Sequence, residues 1–180
     1  MMPVLLEPDD LLRMPDGDFY ELIDGVPTEK PMGANADKIA LRLASRLEVF
    51  CSQSRCGIAF AETSYRGCFP GKLLQLRKPD VSFIATGRLP GDEVPAGDIT
   101  IAPDMIAEVI SPNDGYEEVQ SRIADFRSAK TPLIWVISPI AKSVLIRRLD
   151  GSCDEIYEDG ALSGENVIPG FTCKVAELFV

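Results

Sequence analysis

Three carboxylates stand inside or at the edge of stretches that otherwise read as β-strands: Glu21 in Tyr20-Glu21-Leu22-Ile23, Asp80 in Arg77-Lys78-Pro79-Asp80-Val81, and Glu108 in Ile106-Ala107-Glu108-Val109-Ile110. Successive side chains of a strand point to opposite faces, so Glu108 shares its face with Ile106 and Ile110. An ionised carboxylate among such neighbours is costly unless it is paired or bound to a metal. Carboxylates gathered at strand ends can hold Mg2+ or Mn2+, hard cations that prefer oxygen ligands and keep waters for chemistry. A metal-bound water could then attack a phosphodiester. The alternative is ion pairing alone, with Glu108 against Arg122 or Lys142 and Asp80 capping a turn after Pro79.

Other chemistries are narrowed by what is absent. The chain has no histidine, which excludes Ser-His-Asp and Cys-His catalysis and leaves acid-base work to carboxylates, lysine or metal-bound water. Its five cysteines form no CxxC pair, so a zinc site is disfavoured; Cys51 and Cys56 could meet, but reduced thiols are expected. A net charge of −10 argues against coating nucleic acid through a broad basic surface, though not against a local basic groove. Arg77-Lys78 and Arg147-Arg148 are candidates for phosphate contacts, or else solvated strand edges. Trp135, in Leu133-Ile134-Trp135-Val136-Ile137, reads as core and not as a base-stacking residue.

The elements that must position the acids can be traced along the chain. Pro8 with Asp9 and Asp10 suits a short helix start, and Phe19 to Ile23 a strand that doubles back at Asp24-Gly25 through Val26 to Glu29. Between Ala36 and Phe50, Ile39, Leu43, Leu47 and Phe50 line one face of a helix. Gly57 to Tyr65, Pro79 to Ala85 and Met105 to Ser111 read as strands, with a Gly/Pro/Asp-rich loop over Gly87 to Asp98. Pro112-Asn113-Asp114 can start a second helix carrying Tyr116, Val119, Ile123 and Phe126 on one face, ending before Pro132. Leu133 to Ser138, Val144 to Leu149 and Cys153 to Tyr157 complete the strands. This order predicts one α/β domain over residues 1–180, a central mixed sheet flanked by helices. The longest apolar runs fall far short of the roughly 20 residues that cross a bilayer, so no membrane association is expected. Met1 to Asp10 lacks the pattern of a secretion signal, and a cytoplasmic location is the expectation.

Taken together, several motifs resemble the Uma-type restriction-endonuclease-like family, long catalogued as a domain of unknown function. They are Tyr20-Glu21-Leu22-Ile23-Asp24-Gly25, Pro79-Asp80-Val81-Ser82, Glu108-Val109-Ile110-Ser111-Pro112, Pro132 with Trp135, and Ile168-Pro169-Gly170-Phe171, spread over nearly the whole chain. That family is similar to PD-(D/E)-x-K nucleases. The resemblance implies a restriction-endonuclease-like fold in which Asp80 and Glu108 bind a divalent metal, Mg2+ or Mn2+, and Glu21 supports the site. Ile110 stands where the general pattern places lysine, and the family's substitute lysine, four residues before a tyrosine on the next helix, corresponds to Arg122 and Phe126. Arginine keeps the charge but does not readily lose a proton, so Arg122 would act as an electrostatic clamp on phosphate and hardly as a base. Asn35 and Asp37 also fall where the family commonly carries histidine.

The resemblance thus implies a metal-dependent endonuclease acting on DNA. The rival is a catalytically inactive module that keeps the fold and the acids for binding or regulation. Phe69 and Leu73-Leu74 are the apolar candidates for a homodimer surface, although such residues are more often core.

Overall fold

Alternating apolar residues in the middle of the chain build a sheet that is buried on both faces. In the computed structural model, which describes residues 4–30 and 33–180, the elements in chain order are α1 (Pro8–Leu11), β1 (Tyr20–Ile23), β2 (Val26–Glu29), α2 (Ala34–Ser54), β3 (Gly57–Ala61), β4 (Tyr65–Arg66), β5 (Leu76–Arg77), β6 (Val81–Ala85), β7 (Met105–Val109), α3 (Tyr116–Ser128), β8 (Leu133–Ser138), β9 (Ser143–Arg148), β10 (Cys153–Tyr157), β11 (Ala161–Ser163) and β12 (Thr172–Lys174). Six strands form the main sheet in the order β10-β9-β8-β7-β6-β3, antiparallel throughout except for the parallel pair β7/β8. Helix α3 joins that pair, as parallel neighbours require a crossover.

The pleat sorts side chains between two cores. Met105, Ala107 and Val109 pack with Trp135 under the stripe Ile39, Leu43 and Leu47 of α2. Ile106, Ile134 and Val136 pack on the opposite face against Val119, Ile123 and Phe126 of α3. Each buried Leu, Ile or Phe contributes about 1.5–3 kcal/mol of transfer free energy, so both helices are held mainly by these stripes. Glu108 projects into the α3 face with Ile106, as its position in the strand predicts. Trp135 is fully buried, stacked near Phe171, and is a core residue.

A second, four-stranded sheet, β2-β1-β5-β4, carries the β1/β2 hairpin expected at Asp24-Gly25, where both turn residues take positive φ. Strand β5 and the β11/β12 pair are additions to the expected elements. They are two and three residues long, too short for a periodic signal, and β5 buries the polar Arg77. The strand read over Gly57 to Tyr65 breaks at Glu62, which has φ of 52°, and Tyr65 joins the smaller sheet. Helix α3 starts at Tyr116, later than Pro112 suggested, because Asp114 is engaged by the Ser111 amide and Glu118 accepts from the Gly115 amide. Phe69 is core, whereas Leu73 is exposed. Among the described residues no helix is long and apolar enough to cross a membrane.

Candidate active site

Asp80 and Glu108 meet because β6 and β7 are antiparallel neighbours. Val81 pairs with Ala107, which sets the preceding Asp80 beside the following Glu108. The Asp80 carboxylate is pinned from one side by the Val109 amide, which donates to Oδ2 at 2.6 Å. Its other oxygen, Oδ1, accepts from Lys30 Nζ at 2.5 Å. Lys30 follows the β1/β2 hairpin, and its amide donates to Phe19 O, which aims the residue back across the sheet end. The same ammonium donates to the Lys78 carbonyl at 2.7 Å and to Glu62 at 3.1 Å. An ammonium with three kinds of oxygen around it, and only a tenth of its side chain exposed, sits at the centre of the acids.

Glu108 is more deeply enclosed, at 1% exposure, and neither of its carboxylate oxygens has a hydrogen-bond partner among the described residues. Arg122 Nε approaches Glu108 Oε2 to 3.3 Å, close enough for an ion pair, yet Nε has no hydrogen bond among the described residues. Distance and hydrogen bonding therefore disagree about this pair. The bonding geometry decides, since a buried ion pair offsets its desolvation only when its donors and acceptors are satisfied. The better contact of Arg122 is Nη2 to Asp114 Oδ1 at 2.9 Å.

Burial pushes the Glu108 carboxyl up to about 8, reinforced by Asp80 and opposed by Arg122 and Lys30. Lys30 is driven the other way. Burial alone would lower it, but Asp80, Glu108 and Glu62 outweigh that and hold it protonated, above the usual lysine range. A stability consequence follows for the metal-free protein. With Glu108 near 8 when folded and 4.5 when unfolded, the folded state binds the extra proton between those values, and stability falls as pH rises through that window. The limiting slope is about 1.4 kcal/mol per pH unit. Thermal unfolding in EDTA from pH 5 to 9 should show this decline for wild type and a flatter profile for Glu108→Gln; equal slopes would place the titration elsewhere.

Glu21 is brought to the site's flank. It accepts from Arg77 Nη1 at 2.8 Å and, through Oε1, from the Lys78 amide at 2.7 Å. It thereby fixes the backbone two residues before Asp80. Arg77 is 1% exposed and also donates to Asp125 Oδ2 and Ser121 Oγ, each at 2.7 Å. Arg77-Lys78 is therefore an internal scaffold, neither a phosphate contact nor a solvated strand edge: Lys78 is also buried and donates to Asp18 O. Arg148 is similarly engaged by Asp154 and Glu165. Arg122, at 5% exposure, lies behind Glu108.

Two members of the site escape motif reasoning, Lys30 and Glu62. Lys30 lies 50 residues from Asp80 along the chain, and a search by spacing after Glu108 does not reach it. The one signal is the hairpin: with Asp24-Gly25 as its turn, Glu29 pairs with Tyr20, so a cation just beyond Glu29 is returned to the strand that carries Glu21.

The donor set can be tested against a divalent metal. Among the described residues no three Asp, Glu, Cys or His side chains are grouped to hold an ion. Mg2+ needs no such cage, since it is usually held through one or two carboxylates together with waters and substrate phosphates. Asp80 and Glu108 supply two hard oxygen donors, and neither buried Glu108 oxygen has a hydrogen-bond partner among the described residues. The residues fit.

Comparison with known proteins agrees with the fold. Residues 8–176 match the Uma2 family, described as putative restriction endonuclease. A crystal structure of a protein from Anabaena variabilis, described as a putative nuclease, superposes with a TM-score of 0.80 at 23% identity, covering 98% of each chain. No curated protein matches. The motifs around Glu21, Asp80 and Glu108 thus lie within a match that spans nearly the whole chain, and the protein belongs to the Uma2 family of putative restriction endonucleases.

Proposed function

We propose that the protein is a divalent-metal-dependent endonuclease that hydrolyses phosphodiester bonds of DNA, with Asp80 and Glu108 holding Mg2+ or Mn2+. The observation that carries this reading is Glu108: a buried carboxylate beside Asp80 whose two oxygens have no hydrogen-bond partner among the described residues. Structural salt bridges rarely leave both oxygens in that state. The family description and the nuclease-like neighbour support the reaction class.

A bound Mg2+ would polarise the phosphoryl oxygen and lower the pKa of an attacking water. The chain's own residues do the rest. Asp80 is held rigid by the Val109 amide, and Arg122 limits how far Glu108 can swing. Lys30 takes the part of the missing lysine: its ammonium, oriented by Lys78 O and Glu62, places positive charge where a phosphate would gain negative charge during attack. Arg122, enclosed behind Glu108, orients that carboxylate and does not itself meet phosphate. Glu21 acts through the backbone of Lys78 and through Arg77.

One observation favours the rival, an inactive nuclease-fold module. Asp80 Oδ1 already accepts from an ammonium, so a metal must share or displace Lys30. Plasmid cleavage separates the two. Wild type with Mn2+ should nick or linearise supercoiled DNA, and Asp80→Asn should not. Binding of Mn2+ by wild type without cleavage at any pH from 7 to 9 would establish the inactive module instead.

A further inference from the structure

A cavity of about 460 Å³ opens where α2 begins. Gly33, Ala34, Asn35 and Ala36 line one side of it; Ser111 and Pro112 line the other, with the exposed Ile140 at its rim. The first N–H groups of any α-helix lack partners within the helix, and together with the macrodipole they favour an anion. Helix α2 is 21 residues long and has no side-chain cap, since its N-cap is Gly33. Ala34 and Asn35 are exposed, so these donors open on solvent.

A second observation points to a ligand. Ser111 is 3% exposed and its Oγ has no hydrogen-bond partner among the described residues. That hydroxyl faces the helix end: a Cβ built on Gly33 would lie 2.9 Å from it. Asp114 is held by Arg122 and by the Ser111 amide, and Asp37, in the first turn of α2, is exposed and free to turn to solvent. An oxyanion at this helix end would gain the free N–H groups and the hydroxyl, while the apolar Ile110, Pro112 and Pro139 offer a surface for a sugar or base.

We propose that the α2 N-terminus and Ser111 form a phosphate subsite, which holds a backbone phosphate of the nucleic acid next to the one placed at Asp80 and Glu108. Gly33 is three residues from Lys30 and Ser111 three from Glu108, which holds the Cα atoms of each pair within about 10 Å of one another. The placement of the neighbouring phosphate rests on the nuclease reading; binding of phosphate at the helix end does not.

The test is a 15N-resolved amide titration in EDTA with two probes, inorganic phosphate and the dinucleotide pdTpdT. The amides of Ala34, Asn35, Ala36 and Ser111 should shift with both, and pdTpdT should bind about tenfold more tightly because it adds the apolar contacts. Asn35→Asp is close in shape and its charge suits the helix dipole, so it should fold at least as well as wild type, yet weaken both probes about tenfold. Ser111→Ala removes a hydroxyl that has no hydrogen-bond partner among the described residues, and should weaken binding without lowering the melting temperature. Absent shifts at these amides, or affinities unchanged in Asn35→Asp and Ser111→Ala, would overturn the subsite. Equal affinity for the two probes would make it a free-phosphate site and overturn its assignment to the nucleic acid backbone. Because the titration contains no metal, failure of Mn2+ binding at Glu108 would leave its outcome untouched, and the converse holds.

Discussion

On the proposed nuclease function, Lys30→Met should lose at least about 100-fold in metal-dependent cleavage, the scale on which removing one preorganised charge from a developing oxyanion acts. The same substitution should have an opposite effect on metal affinity. Lys30 now donates to Asp80 Oδ1, to Glu62 and to Lys78 O. Without it Asp80 and Glu108 face each other with less compensating charge, and a partly buried carboxylate left unpaired costs roughly 3–5 kcal/mol at most. Glu62 is 57% exposed and can turn to solvent, which reduces the loss. The metal-free melting temperature should therefore fall, and the rise on adding Mn2+ should be larger than in wild type, since binding to the native state adds stability by mass action. Thermal unfolding with and without Mn2+, beside a cleavage assay, measures both. Cleavage at the wild-type rate would remove Lys30 from the mechanism.

Arg77→Met should be the most destabilising single change at the site. The guanidinium is 1% exposed and engages Glu21, Asp125 and Ser121 at 2.8, 2.7 and 2.7 Å. Methionine of similar length fills the space, but the buried Glu21 loses its cation and the buried Asp125 one of two, at a cost of roughly 3–5 kcal/mol. At about 2–4 °C per kcal/mol for a domain of this size, the melting temperature should drop by on the order of 10 °C. Asp125 retains Lys72 and Gln75, so Glu21 bears most of the loss. Adding Glu21→Gln should recover part of it, which a double-mutant cycle by urea unfolding reads directly. A loss below about 1 kcal/mol for Arg77→Met would mean that the network is not what holds the Lys78-Pro79-Asp80 backbone in place.

The parts of this molecule that were legible in sequence are those with a period. Four-residue spacing of Ile39, Leu43 and Leu47 announces α2, and alternation around Glu108 announces both β7 and the odd burial of an acid. The acids themselves could be named because a charged residue in an apolar strand requires a reason. What was hidden depends on contacts distant in sequence. Lys30 reaches Asp80 only after the hairpin folds onto the smaller sheet, and Arg77 looks like a surface cation until β5 buries it between Glu21 and Asp125. Arg122 was named as a candidate through the family resemblance, and its burial beside Glu108 and its bond to Asp114 emerge only in the folded chain. Short strands such as β5, β11 and β12 carry too few residues for any pattern to emerge.

A metal centre at Asp80 and Glu108 stands or falls on a calorimetric titration of Mn2+ into wild type and Glu108→Gln at pH 8, where the Glu108 carboxyl is about half ionised without a metal. Glu108→Gln keeps the shape and removes a poorly compensated buried charge, so it should fold at least as well as wild type. Binding to wild type should release protons, as ligand carboxyls must ionise, and should be lost in Glu108→Gln. Absence of binding to wild type, or equal binding to both proteins, would contradict a metal centre at Asp80 and Glu108.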